Sequence, residues 1–283
     1  MNQFEQVING IAEQAEQRIK CEEGDFFNDE GLLICGKCRT PKQVRIDLFG
    51  NAKTVMCLCK CEQDKRDAEE KAWNQKQRLI KLNNLREIGF DDPKMRQWTF
   101  DKDDGKNEKL TMLAKNYVYN YPKFRKEGRG LLLFGGVGTG KTFIAACIAN
   151  ALIDKGIPCM MTNFARLTNT LNGMYAGRQE FLDSLNRFSL LLIDDLAAER
   201  NTEYMDEIVH TVIDGRYLAK KPLIITTNLT REELSRPSDV RKQRVYSRLF
   251  EMCYPFSVEG VDRREQKLET SYAEMEKLLG LGG

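Results

Sequence analysis

The stretch from Leu131 to Asn150 constrains the fold of this chain more than any other. Four apolar residues, Leu131 to Phe134, run into Gly135-Gly136-Val137-Gly138-Thr139-Gly140-Lys141-Thr142, followed by Phe143-Ile144-Ala145-Ala146-Cys147-Ile148-Ala149-Asn150. A short buried strand, a glycine loop and a helix start form the context in which G-x-x-x-x-G-K-[ST] holds phosphate. Backbone N–H groups must wrap a phosphate chain closely, and glycine removes the side chains that would obstruct the approach while permitting positive φ. Lys141 supplies a point charge for the β- and γ-phosphates and Thr142 a hydroxyl for Mg²⁺. The helix starting near Lys141 turns its positive end toward the anion. Gly135 through Phe143 are therefore the expected nucleotide-binding residues, with ATP and Mg²⁺ as cofactors.

Downstream lie the elements that would complete such a site. Leu190-Leu191-Leu192-Ile193 ends in Asp194-Asp195, the form of a buried parallel strand that delivers carboxylates at its C-terminal edge. Asp194 would hold Mg²⁺, and Asp195 would orient or deprotonate the attacking water. A further strand, Lys221 to Asn228, ends in an amide, Asn228 being either a sensor of the γ-phosphate or an ordinary strand-end turn residue. Arg241 to Cys253 is a basic amphipathic helix, and a strand after it leads to Arg263 and Arg264. Upstream, Leu110, Leu113, Ala114, Tyr117, Val118 and Tyr121 predict a helix stopped by Pro122. Trp98 and Phe100 read as core residues, with stacking on adenine the other role open to them. The expected fold is α/β, a parallel sheet flanked by helices.

The cysteines define a second region. Of nine in the chain, Cys35, Cys38, Cys57, Cys59 and Cys61 cluster, whereas Cys147, Cys159 and Cys253 sit singly in apolar sequence. A C-x-x-C knuckle followed by C-x-C-x-C after a hairpin-like segment supplies thiolates for a tetrahedral site. Residues two apart in a strand share a face, so Cys57, Cys59 and Cys61 would point one way and one would be spare. The favoured set is Cys35, Cys38, Cys59 and Cys61 holding structural zinc, with Cys57 the alternate; an iron–sulfur cluster or reduced thiols are the other readings. Residues 3 to 20 predict an amphipathic helix, packed on its own chain or on a partner. Glu62 to about Arg86 reads as a solvated helical connector. The expected organisation is residues 1–63, helix and metal module; 64–100, connector; 101–283, nucleotide-binding domain.

The charge balance announces no bulk attraction to nucleic acid: 44 basic against 42 acidic residues leave a formal charge of +2. With no apolar run long enough to span a bilayer and no secretory leader at Met1, a membrane partner is not expected and the location reads as cytoplasmic. His210, the one histidine, falls in a helical run and is given no chemistry.

With these residues in view, the chain resembles AAA+ helicase loaders of the DnaC type, in their phage and prophage form, and the ATPase subunits of IstB-type transposons. The likeness rests on GGVGTGKT at 135–142, LLLIDDLAAER at 190–200, KKPLIITTNLTREEL at 220–234 and RVYSRLFEMC at 244–253, and on their order. The resemblance implies that Arg248 is an arginine finger reaching an adjacent subunit's nucleotide. It implies that Arg263 or Arg264 occupies the sensor II position, and that Arg166, Tyr175 and Arg178 line a single-stranded DNA channel. It further implies ATP-driven assembly into an open ring or spiral, and a metal module that docks on the hexameric replicative helicase. Three functions follow: helicase loader, ATPase partner of a transposase, or nucleotide-switched adaptor. Two departures matter, Asp195 where many AAA+ proteins carry Glu and Ala197 where relatives often carry Gly. The shorter carboxylate implies slow hydrolysis that a partner or DNA would stimulate.

Overall fold

The structure is a computed structural model describing residues 21–48, 51–197, 203–237, 239–263, 272, 275 and 277–279. The expected helix at residues 3–20 and Arg264 lie outside these. The chain divides into two compact units, Met1–Leu79 and Ile80–Gly283.

In the first unit, β1 (Phe26–Phe27) pairs antiparallel with β2 (Leu33–Ile34). β3 (Gln43–Leu48) pairs with β4 (Asn51–Met56), from Gln43↔Met56 to Leu48↔Asn51. Helix α1 (Lys60–Gly89) follows and runs across the boundary between the units. So small a unit has little apolar surface to bury, and a charged pair stands in its interior. Lys42 Nζ lies 2.7 Å from Asp25 Oδ2, with the two side chains only 5% and 2% exposed. Asp25 also accepts from the N–H groups of Glu22 and Gly36, both at 3.0 Å. Lys42 first, then these N–H groups, hold the Asp25 carboxyl down to about 2.

The sequence places β4 as running through the last three clustered cysteines, and this the structure corrects. β4 stops at Met56, Cys57 to Cys59 are irregular, and Cys61 already lies in the first turn of α1. The cause is local. Thr40 Oγ1 accepts the Lys60 N–H at 2.8 Å, and Cys59 O accepts the N–H groups of Glu62 and Gln63. These contacts start a helix where an alternating pattern suggests a strand.

The second unit is built on five parallel strands: β5 (Gly130–Phe134), β6 (Cys159–Asn163), β7 (Leu190–Leu196), β8 (Leu223–Thr227) and β9 (Cys253–Ser257), in the order β6-β7-β8-β5-β9. Both faces are covered, which is why the strands read as continuous apolar runs. Leu131, Leu133, Leu190, Leu192 and Ile224 face one core layer with α2 (Glu108–Tyr119) and α4 (Lys141–Asp154). Leu132, Phe134, Leu191, Ile193 and Ile225 face the other, against α5 (Phe164–Asn172), α7 (Glu203–Leu218) and α9 (Val240–Met252). Gly130 is required by packing: a Cβ there would stand 1.7 Å from Leu223 O on β8.

Pro122 does not simply stop α2. Asn120 caps it, and Pro122 sits in the first turn of a second helix, α3 (Tyr121–Glu127), where its missing N–H costs nothing. Trp98 and Phe100 pack in the core layer beside α4, with the Trp98 and Phe143 ring centroids 5.8 Å apart. Asn150 Nδ2 anchors that segment by donating to Met95 O and Trp98 O, each at 2.9 Å. The stretch between β6 and β7 holds α5, α6 (Arg178–Ser184) and a 3₁₀ turn, and α8 (Arg231–Ser235) follows β8 behind a Thr230–Glu233 capping box.

At the opposite end of the sheet from the glycine loop, Arg216 of α7 is fully buried. Its guanidinium donates to Phe188 O at 2.9 Å, Ser189 O at 3.3 Å and Pro222 O, the carbonyls leading into β7 and β8. Burial lowers its pKa to about 10. Replacement by Ala would leave these carbonyls unpaired in a cavity, so Arg216→Ala should lower unfolding free energy by about 3 kcal/mol or more. Arg216→Lys, with a point charge in place of a fork, should lose an intermediate amount. Urea unfolding checks both; a change under about 0.5 kcal/mol for the Ala variant would discredit this role.

Candidate functional site

The glycine loop joins the C-terminal end of β5 to α4. Gly135, Gly138 and Gly140 take φ of 131°, 70° and 96°, the region that favours glycine. No side chain caps α4, so its first N–H groups remain for an anion. Lys141 is buried, and its Nζ donates to Gly135 O at 2.9 Å, Gly136 O at 2.6 Å and Asn228 Oδ1 at 2.8 Å. The loop lysine and the amide at the end of β8 are thus brought together.

The carboxylate pair lies at a β-bulge. β7 and β8 pair at Ile193↔Ile225 and again at Leu196↔Thr227, so Asp194 and Asp195 together oppose Thr226. Thr226 Oγ1 donates to Asp194 Oδ1 at 2.5 Å and accepts the Asp195 N–H at 3.0 Å. Thr142 Oγ1 donates to the same Asp194 oxygen at 2.8 Å. Burial raises the Asp194 pKa; the Thr226 hydroxyl opposes the shift and the Asp195 charge adds to it. Thr142 and Asp194 together offer a hard cation the oxygen ligands it prefers. Asp195 and Ala197 have φ of 55° and 69°, so the Ala stands in a left-handed position that glycine would occupy without strain.

Arg248 projects from α9 onto α7. Its NH1 lies 2.7 Å from Asp214 Oδ1 and 3.2 Å from His210 Nε2, and its guanidinium sits 5.8 Å from the Tyr217 ring centroid. Asp214 went unread in the sequence and His210 was given no chemistry; only their helical spacing with Tyr217 could have indicated a common face. Arg263 lies instead at the glycine loop, its N–H on Gly138 O at 3.1 Å. Arg166 and Arg178 are exposed and Tyr175 is fully so, distributed over α5, the following loop and α6. An open cavity of 430 Å³ beside the loop is lined by Gly135, Gly136, Thr139, Thr230, Arg231 and the 257–260 segment.

In the first unit Cys35, Cys38, Cys59 and Cys61 converge, with all four Sγ atoms within 4.8 Å of one another. Cys59 and Cys61 are 3.3 Å apart, and Cys35 and Cys61 3.7 Å. A tetrahedron with bonds of about 2.3 Å has edges of about 3.8 Å, so four sulfurs can share one metal ion. Thr40 Oγ1, 3.1 Å away, leads in bringing the Cys38 thiol down to about 5, while the neighbouring sulfurs push Cys61 up to about 12. A divalent cation would relieve that mutual resistance to ionisation. Cys57 stays outside the cluster, its Sγ 3.4 Å from Pro41 O and its pKa raised by burial.

This sheet order and glycine loop define a P-loop NTPase of the AAA+ type. The chain belongs to the family of IstB-like ATP binding proteins, whose pattern matches residues 62–268. The replicative helicase loader DnaI of Bacillus subtilis is 28% identical over 150 residues, 49% of this chain and 48% of that protein. The replicative helicase loader DnaC of Escherichia coli K12 is 26% identical over 127 residues, 44% of this chain and 51% of that protein. The phage-like element PBSX protein XkdC of B. subtilis is 28% identical over 152 residues, 51% of this chain and 56% of that protein. The chain thus spans about half the length of the curated relatives it matches. Among solved structures, DnaI superposes with a TM-score of 0.54 at 23% identity, over 63% of this chain and 98% of that one, which shows the shared fold. No helix among the described residues is long and apolar enough to cross a membrane.

Purified protein should carry one divalent metal ion per chain by elemental analysis. Cys57→Ser should keep it, and Cys59→Ser should lose it; the opposite pattern would reassign the ligands.

Proposed function

We propose that this chain is an ATP-dependent loader of a replicative DNA helicase onto single-stranded DNA, acting in the cytoplasm. One observation carries the reading: Lys141 is hydrogen-bonded to Asn228 and the adjacent Thr142 to Asp194 in a chain whose curated relatives include proteins named replicative helicase loaders. Residues 101–283 are the ATPase domain, 64–100 the connector, and 1–63 the module that grips the hexameric helicase, held folded by zinc on Cys35, Cys38, Cys59 and Cys61.

In this reading the N–H groups from Gly135 to Phe143 hold the phosphates and Lys141 leaves its carbonyl partners for the β- and γ-oxygens. Mg²⁺ bound near Thr142 and Asp194 would neutralise phosphate charge. Asp195 takes a proton from the water that attacks the γ-phosphorus as the bond to ADP breaks, and Asn228 senses whether that phosphate is present. Arg263 contributes from its own chain, with Arg264 the alternative. Arg248 reaches a neighbouring subunit's nucleotide in an ATP-ordered open ring or spiral, and Arg166, Tyr175 and Arg178 face the DNA. Hydrolysis is slow and stimulated by partner or DNA. The family description also fits an ATPase partner of a transposase; the four-cysteine cluster favours the loader, because transposon ATPases generally lack such a module.

Native mass spectrometry with the host's replicative helicase should show several copies of this chain per hexamer with ATP, and none after deletion of residues 1–63. Wild type should hydrolyse ATP faster than Lys141→Ala when DNA and helicase are present. Equal rates would favour a nucleotide-switched adaptor, and absence of any complex would favour the transposase partner.

Asp194 gives a pH test. Its raised pKa means that the folded chain keeps a proton on it to higher pH than an ordinary carboxylate, and that stability falls as pH rises through that window. Mg²⁺-dependent ATP affinity should therefore fall on acidification at a higher pH than an ordinary aspartate would set. Asp194→Asn should flatten that profile, weaken Mg²⁺ dependence by about tenfold or more, and raise the melting temperature of the metal-free protein at pH 7. A variant melting below wild type would contradict the assignment of burial as the dominant cause.

A further inference from the structure

The loop leaving β9 is fitted to the glycine loop at several points. Val258 donates its N–H to Phe134 O at 2.8 Å, and Arg263 donates its N–H to Gly138 O at 3.1 Å. A Cβ on Gly138 would fall 1.7 Å from Asp262 Oδ1, and one on Gly140 would fall 3.0 Å from Arg263 Cζ. Gly138 and Gly140 therefore leave room for a neighbouring loop as well as for phosphate, and the Arg263 guanidinium rests against the end of the loop nearest Lys141.

The segment ahead of α2 braces this arrangement. Arg263 NH1 lies 3.1 Å from Asp104 Oδ1 and 3.9 Å from Asp103 Oδ1. Asn107 Nδ2 donates to Glu259 O at 3.0 Å, while Asn107 Oδ1 caps α2 through the Leu110 N–H. Asp103 is only 6% exposed, and its Oδ1 is buried without a hydrogen bond although Oδ2 accepts from Thr111. A carboxylate oxygen in that position needs a cation, and among the described residues Arg263 NH1 lies 3.9 Å from it. This acidic pair is therefore built around an arginine.

We propose that Asp103 and Asp104 are positioning residues for Arg263, fixing its guanidinium at the glycine loop so that its remaining N–H donors face the phosphates of ATP; this rests on reading the loop as the nucleotide site. A guanidinium has donors to spare: NH1 serves the carboxylates, and among the described residues NH2 and Nε take no ion pair. Holding the side chain in place before ATP arrives removes the entropy cost of ordering a long, flexible arginine. The acidic pair thereby strengthens the binding of an anion that it would repel if it stood alone.

Titration of the full chain with a fluorescent ATP analogue tests this. Arg263→Ala should weaken binding about tenfold, and Asp103→Asn with Asp104→Asn together about three- to tenfold. The triple variant should bind no more weakly than Arg263→Ala alone, because the carboxylates act only through the arginine. Asp104→Glu should recover most of the affinity lost in Asp104→Asn, and this half-exposed position supplies the test if Asp103→Asn fails to fold by circular dichroism. Acidic-pair variants that bind as well as wild type or better, or losses that add in full to that of Arg263→Ala, would overturn the proposal while leaving the nucleotide site intact. Wild type that binds no ATP would overturn both.

Discussion

The second unit's site depends on one hydroxyl. Thr226 Oγ1 donates to Asp194 and accepts from the Asp195 backbone, so one atom fixes the Asp194 carboxylate and the Asp195 main chain at the end of β7. Thr142 meets the same Asp194 oxygen from α4, which ties the helix after the glycine loop to the two strands at the middle of the sheet. A bulge makes this possible by setting two residues of β7 against one of β8. Asp194 is then buried in a pocket that resists its charge, an arrangement that suits the cation-binding role proposed for it.

Around that node the sheet is held from both ends. Arg216 gathers the carbonyls that lead into β7 and β8 at one end, and Lys141 gathers Gly135, Gly136 and Asn228 at the other. Each is a buried cation satisfied largely by oxygen dipoles, so each acts through geometry more than through net charge. The strands between them need only be apolar on both faces, which accounts for their plain sequences.

The parts of the site that were legible in the sequence are those whose chemistry is local. The glycine loop, the apolar run ending in Asp194-Asp195 and the strand ending in Asn228 each carry their meaning within about ten residues, and the structure brings them to one end of the sheet. The four converging cysteines were legible too, by identity and spacing, but their backbone was not: Thr40, far upstream in sequence, accepts the Lys60 N–H and helps turn the expected strand into a helix start. Pro122 was misread for a similar reason, since one proline can end a helix or begin one and Asn120 decides which. The partners of Arg248 and Arg263 were illegible because Asp214, His210, Asp103 and Asp104 reach them only through tertiary packing. Acidic residues in a loop before a helix look solvated until the fold places an arginine against them.

Those two arginines are held differently, and the difference bears on their proposed roles. Arg248 and Asp214 are both partly exposed, at 32% and 26%, so solvent screens their attraction and separating them costs about 1 kcal/mol or less. A neighbour's phosphate could offset that easily, which suits a side chain proposed to act between subunits. Arg263 is 18% exposed against Asp103 at 6%, and pulling it away would leave a buried carboxylate without the cation beside it, at a higher cost than in the solvated pair. With Asp104 at 3.1 Å as a second partner, it is suited to stay where the fold puts it, at its own glycine loop. The same residue type on one domain is thus free to exchange partners in one place and fixed in the other, and burial of the acidic partner sets which.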